Sequence, residues 1–111
     1  MISVERRDKI DIVSFTTDKI NALITDEIKE GIGQVFQNGN TKIIINLRNV
    51  RYIDSSGFGC LLSLMKTARN NFCTLKFASP EPAVMEVLKT LNLHTVFDIY
   101  DDLDECVRSL R

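Results

Sequence analysis

The chain has one histidine and three cysteines, and no apolar run comes near the roughly 20 residues that a membrane-spanning helix needs. Its longest are of the order of Ile43-Ile44-Ile45. It also lacks an excess of charge of either sign: 14 Lys and Arg stand against 15 Asp and Glu, a net charge of -1. No sequence-wide attraction to nucleic-acid phosphates or anionic lipid follows from that balance, so direct nucleic-acid binding is not expected, and the short apolar runs give no expectation of a membrane span. Met1-Ile2-Ser3-Val4 runs directly into Glu5-Arg6-Arg7-Asp8-Lys9, without the apolar core and small-residue cleavage site of a secretory signal, and a cytoplasmic address is expected. Cys60, Cys73 and Cys106 are odd in number, widely spaced and set among apolar neighbours. They are expected to be reduced core thiols rather than a disulfide framework.

Catalytic equipment is equally sparse. A serine hydrolase needs a nucleophile, a base within reach and a group that orients the base. His94 is the only candidate base, it sits between Leu93 and Thr95 at a helix end, and the G-x-S-x-G pattern is absent around Ser55. Gly57-Phe58-Gly59 begins like a dinucleotide fingerprint, but Leu62 stands where the third glycine belongs, and there is no Walker pattern. The cysteines are too far apart for a zinc knuckle. Asp101, Asp102 and Asp104 lack the glycine and distal Glu of a calcium loop and fit the start of a helix instead. No enzymatic activity, cofactor or metal is expected.

What is present is a chain of 111 residues, 44% hydrophobic and 26% charged, which fits a single domain over residues 1–111 with enough apolar surface for one core. Ile2 to Arg6 and Lys9 to Thr16 alternate at period two, with Ile10, Ile12 and Ser14 on one face, and Arg7-Asp8 between them suits a turn. Helical spacing follows from Asn21, with Ile24, Ile28, Ile32, Val35 and Phe36 on one side and Asn38-Gly39-Asn40 as the stop. Lys42 to Leu47 reads as a central strand buried on both faces. Phe58, Leu61, Leu62, Met65 and Ala68 form a second helical stripe, and Cys73 to Ala78 a further strand.

Val84, Val87, Leu88 and Leu91 mark a third helix, ended at Asn92, a residue that tolerates left-handed backbone. Val96 to Tyr100 is strand-like, and Leu103, Cys106, Val107 and Leu110 make a closing helical stripe. Phe58 and Phe97 are expected in the core. The order ββαβαβα, then a short strand and a helix, requires crossover connections. It implies an α/β fold with a mixed, mostly parallel sheet of about four to five strands and about four helices. Sites in such sheets gather in loops that leave strand ends. One of those loops is Asp54-Ser55-Ser56-Gly57, which leads from extended chain into the second helix. Two readings of it stand side by side: an ordinary helix cap, or a hydroxyl presented beside the free N–H groups of a helix start.

The stretch from Ile43 through Ile53-Asp54-Ser55-Ser56-Gly57-Phe58-Gly59 resembles the signature of the STAS domain, a buried strand followed by a hydrophobic-Asp-Ser-Ser/Thr-Gly loop and a helix. The single-domain length is similar to that of bacterial anti-sigma factor antagonists. The likeness continues through Ala78-Ser79-Pro80 and Leu91 to Tyr100. It implies a STAS-type fold, phosphorylation at Ser55 by an anti-sigma factor that is also a serine kinase, and a partner-binding loop of Asp54, Ser55, Ser56 and Gly57 together with Asn21. A serine phosphatase is a further candidate partner. The chain departs from the family pattern at Thr17, in place of a glycine, at Ile20-Asn21, in place of Leu-Asp, and at Asn92, in place of a frequent glycine. The alternative is a STAS module that does not switch, serving as a subunit of a signalling scaffold or lipid-transport complex.

Overall fold

A computed structural model describes residues 1–111. Seven strands and four α-helices follow one another as β1 (Ile2–Arg7), β2 (Ile10–Phe15), β3 (Lys19–Ile20), α1 (Thr25–Gln37), β4 (Lys42–Asn46), β5 (Tyr52–Ile53), α2 (Ser55–Asn70), β6 (Thr74–Ala78), α3 (Pro82–Thr90), β7 (Ile99–Tyr100) and α4 (Leu103–Leu110), with a 3-10 turn at Leu93–Thr95. Five strands form the main sheet in the order β1-β2-β4-β6-β7. Only the β1–β2 hairpin is antiparallel; β2–β4, β4–β6 and β6–β7 are parallel. The expected α/β architecture is what the chain adopts.

At the centre, Ile43, Ile44 and Ile45 are fully buried, because β4 has a parallel neighbour on each side and helices over both faces. Val13, Phe15, Ile43, Ile45 and Phe77 join a core cluster of 21 residues with the buried sides of α1, α2 and α3. On the other face Ile10, Ile12, Ile44 and Ala78 meet Cys106, Val107 and Leu110 of α4 in a cluster of 7. Asn92 takes the left-handed conformation, φ 59°. Phe58 and Phe97 are buried, and Phe97 stacks on Phe77 with ring centroids 4.6 Å apart.

Several expectations need correction. The buried side of α2 is Gly57, Phe58, Cys60, Leu61, Leu64 and Ala68. Leu62 is turned one residue, about 100°, from Leu61 and is 38% exposed, whereas the unforeseen Leu64 is only 2% exposed. In α3 only Val84 and Leu88 are buried, and Val87 and Leu91 are exposed. The side of the helix turned to the core is Val84 and Leu88, with Met85 packed partly against it, which leaves Val87 and Leu91 facing away. The strand expected over Val96 to Tyr100 shrinks to Ile99–Tyr100, since the 3-10 turn keeps the chain wound through Thr95 and Phe97 N–H closes onto Leu93 O. Cys73 is half-buried rather than core, while Cys60 and Cys106 are buried. Burial raises all three thiols, Cys106 up to about 11, which keeps them protonated and weakly nucleophilic near neutrality.

Two polar side chains enter the sheet layers with partners. Asp11, buried on β2, accepts from Arg6 at 3.3 Å, and the same guanidinium donates to Asn40, pinning the α1–β4 loop to the hairpin. On the α4 side, Lys76 Nζ donates to Tyr100 Oη at 3.0 Å and Ser109 Oγ at 3.1 Å and lies 3.4 Å from Asp98. Burial works to lower the Lys76 pKa, but the Tyr100 hydrogen bond and the Asp98 carboxylate outweigh it and the net shift is upward. The group stays cationic.

The corrected α2 register has a direct test in urea unfolding. Leu64→Ala should lose roughly 2–5 kcal/mol, whereas Leu62→Ala should stay within about 1 kcal/mol of the parent. Equal losses would contradict the register.

Candidate functional site

β3 and β5 were not foreseen as strands. They pair in parallel outside the main sheet, Lys19 opposite Tyr52 and Ile20 opposite Ile53. Asp18 O extends the pairing by accepting from the N–H groups of Arg51 and Tyr52 at 2.8 and 3.2 Å. This two-residue ladder brings the turn before α1 beside the start of α2, so Asn21 and Ser55 belong to one corner of the molecule.

Asp54 organises that corner. Its backbone is extended and its side chain caps α2: Oδ1 accepts from Gly57 N–H at 2.8 Å. Oδ2 accepts from Ala22 N–H at 3.4 Å, and the Asp54 N–H donates to Ile20 O at 3.1 Å. One residue thus closes the helix start and ties it to the neighbouring loop. Asn21 uses its own Oδ1 locally, accepting from Leu23 N–H at 3.0 Å. Thr17 likewise turns on itself, with Oγ1 3.3 Å from both Lys19 N and Lys19 O. At two of the three departures from the family pattern, Thr17 and Asn21, the side chain stabilises the turn that carries it.

Ser55 and Ser56 are exposed, Asp54 is half-buried and Gly57 is buried. Ser55 and Ser56 open the helix, and their N–H groups belong to the first turn, which has no intrahelical acceptors. Asp54 satisfies only the third, that of Gly57. A hydroxyl in solvent therefore stands at the positive end of a 16-residue helix. Gly57 faces inward for a steric reason: a Cβ there would lie 2.7 Å from Ile20 O and 2.6 Å from Ile53 Cγ2. The carbonyl cannot swing aside without breaking the Ile20–Asp54 hydrogen bond, so glycine lets α2 approach the β3–β5 pair.

The corner also exposes Leu23, at 92%, and Tyr52, at 54%. Sequence reasoning missed both. Leu23 falls outside the Ile24-Ile28-Ile32 stripe, which was the available signal; Tyr52 gave none until the β3–β5 pair defined its outward face. His94 is exposed on the 3-10 turn, and no group of three or more His, Cys, Asp or Glu side chains converges anywhere. No helix is long and apolar enough to cross a membrane.

The geometry fixes two expected outcomes in thermal and urea unfolding. Gly57→Ala should destabilise by about 1–3 kcal/mol through overpacking, although alanine is the better helix former by about 1 kcal/mol. Asp54→Ala should lose about 0.5–2 kcal/mol with its cap, and Asp54→Asn should recover only the Gly57 part of that, because its amide NH2 cannot accept from Ala22 N–H. A stabilised Gly57→Ala protein would show that the close approach to Ile20 does not govern the site.

Comparison with known proteins addresses the family and the fold. A protein of Thermotoga maritima described as a candidate anti-sigma factor antagonist is 28% identical over 78 residues, which is 70% of this chain and 69% of the relative. The structure of an anti-sigma-factor antagonist (STAS) domain protein from Planctomyces limnophilus superposes with a TM-score of 0.86 at 18% identity, covering 99% of this chain and 97% of that one. The Bacillus cell fate determinant SpoIIAA in its phosphorylated form superposes with a TM-score of 0.73 at 18% identity, over 100% of each chain. At those identities the two structures speak to the fold. The STAS domain matches residues 1–106, and with that extent of agreement the chain belongs to the STAS domain family.

Proposed function

We propose that this domain is an anti-sigma factor antagonist that binds an anti-sigma factor with serine kinase activity while Ser55 is unmodified, frees the sigma factor, and is switched off when the kinase phosphorylates Ser55. The observation that carries the reading is the exposed hydroxyl at the first residue of α2, beside the Asp54 cap. The relatives named as anti-sigma factor antagonists, and the existence of a phosphorylated form of SpoIIAA, support it. In this reading nucleotide and metal belong to the kinase, the domain itself catalyses nothing, and it acts in the cytoplasm.

The electrostatics of the switch follow from the corner. Unmodified, Ser55 is small and neutral, and Leu23 and Tyr52 beside it offer apolar surface that docking can remove from water. Phosphorylation adds about -1.5 to -2 charges next to Asp54. The free N–H groups of the first turn can solvate the new oxygens in the isolated domain, so the fold survives. A docked partner would have to desolvate the dianion next to a carboxylate, and binding is lost.

A second reading, a STAS module that does not switch and serves as a subunit of a scaffold or lipid-transport complex, draws on Asn21. Its side chain is committed to its own turn and lacks a carboxylate's charge for a partner. Pull-down separates the two: recovery of a kinase-fold protein supports the switch, and recovery of a transporter or scaffold subunit supports the module.

Incubation with the anti-sigma kinase and ATP, followed by mass spectrometry, should place phosphate on Ser55 and on no residue of Ser55→Ala. Full modification of Ser55→Ala would end the assignment. Ser55→Asp should bind the kinase at least about tenfold more weakly, a change of about 1.4 kcal/mol, with a melting temperature close to that of the parent.

A further inference from the structure

At the opposite end of α2 the sheet is left incomplete. β7 pairs with Phe77 and Ala78 alone, and β6 has no other neighbour on that side, so no strand lies beside Thr74, Leu75 and Lys76. An edge of this kind is a template for an added strand. Beside it, between α2 and β6, is an apolar groove of about 170 Å³ lined by Met65, Ala68, Arg69, Cys73 and Leu75. That is close to the roughly 150 Å³ of a cavity that accepts a benzene ring. Phe72, at the lip of the same corner, is 91% exposed and held at φ 57°, a conformation rare for a bulky aromatic.

The α2 side of the groove is cationic, and the one carboxylate recorded at this edge, Asp98, lies on the α4 side against Lys76. Arg69 lines the groove and Lys66 lies one turn before it on α2, a helix whose sequence contains no Asp or Glu. Neither cation has a carboxylate within 4.0 Å. A second copy of the chain related by a two-fold axis through the corner would bring these cations together, which disfavours self-association there. A carboxylate-bearing chain would complement them.

We propose that this corner is a second docking site, at which an extended segment of a partner protein adds to the free edge of β6 and seats one large apolar side chain, flanked by carboxylates, in the groove. Residues at ±2 from the seated side chain share its face, so carboxylates there lie on the side of the groove that carries Arg69 and Lys66. The site lies about 20 Å along α2 from Ser55, and its occupancy is independent of the proposed switch.

The probe is the capped peptide acetyl-Glu-Thr-Phe-Thr-Glu-amide titrated into the 15N-labelled full chain. Amide shifts should move at Thr74, Leu75 and Lys76 and along α2 from Met65 to Arg69, and the same shifts should appear in Ser55→Asp with the same affinity. Arg69→Glu should weaken the peptide at least about fivefold, and the analogue with both Glu replaced by Lys should bind correspondingly worse. Shifts confined to other surfaces, equal binding of the Lys analogue, or concentration-dependent shifts at Thr74–Lys76 without peptide would overturn the proposal.

Discussion

The Asp54 carboxylate holds two loops with one side chain, and the geometry of the corner depends on it. Oδ1 closes the start of α2 on Gly57 N–H, and Oδ2 reaches across to Ala22 N–H in the turn before α1. Capping residues commonly satisfy only their own helix; this one also sets the distance to a neighbouring loop. The approach is possible because Gly57 has no side chain to strike Ile20 O. Asp54 and Gly57 are therefore scaffolding for the site, and the residues that meet solvent are Ser55 and Ser56.

Behind that corner the main sheet supplies rigidity. An all-isoleucine centre in β4 packs against both helical layers, and the polar groups admitted to those layers, Asp11 and Lys76, arrive with partners. A satisfied buried polar network restricts the alternatives a sheet can adopt, whereas an unsatisfied one would weaken it. No buried side-chain nitrogen or oxygen is left without a partner.

Much of this was legible in the residues and some was not, for physical reasons. Ile43-Ile44-Ile45 announces a doubly covered strand because few other environments suit three successive β-branched residues. Asp-Ser-Ser-Gly announces a helix start because its chemistry is local. The resemblance groups Asn21 with Ser55, but two-residue strands such as Lys19–Ile20 leave no periodicity to detect, so the ladder that joins their segments needed tertiary structure. In α2, Leu61, Leu62, Leu64 and Met65 are apolar on adjoining sides, and pattern alone cannot choose which pair faces the sheet. The same holds for Val87 and Leu91, apolar by composition yet exposed because α3 turns Val84, Met85 and Leu88 to the core instead. Hydrogen-bond reach, as in the double role of Asp54 or the local turn of Asn21, is invisible to any residue count.

The small cluster under α4 has its own consequence. Seven buried residues hold that helix, with Asp102 at one end and the Arg111–Asp8 pair at the other, while three times as many hold the opposite layer. A unit with so few apolar contacts is a natural candidate for sub-global opening. The sheet lies between α4 and α2, so an opening of α4 would leave the packing behind the serine corner in place. A pull applied to α4 would then be taken up by its small cluster before it reached the serine corner on the far side of the sheet.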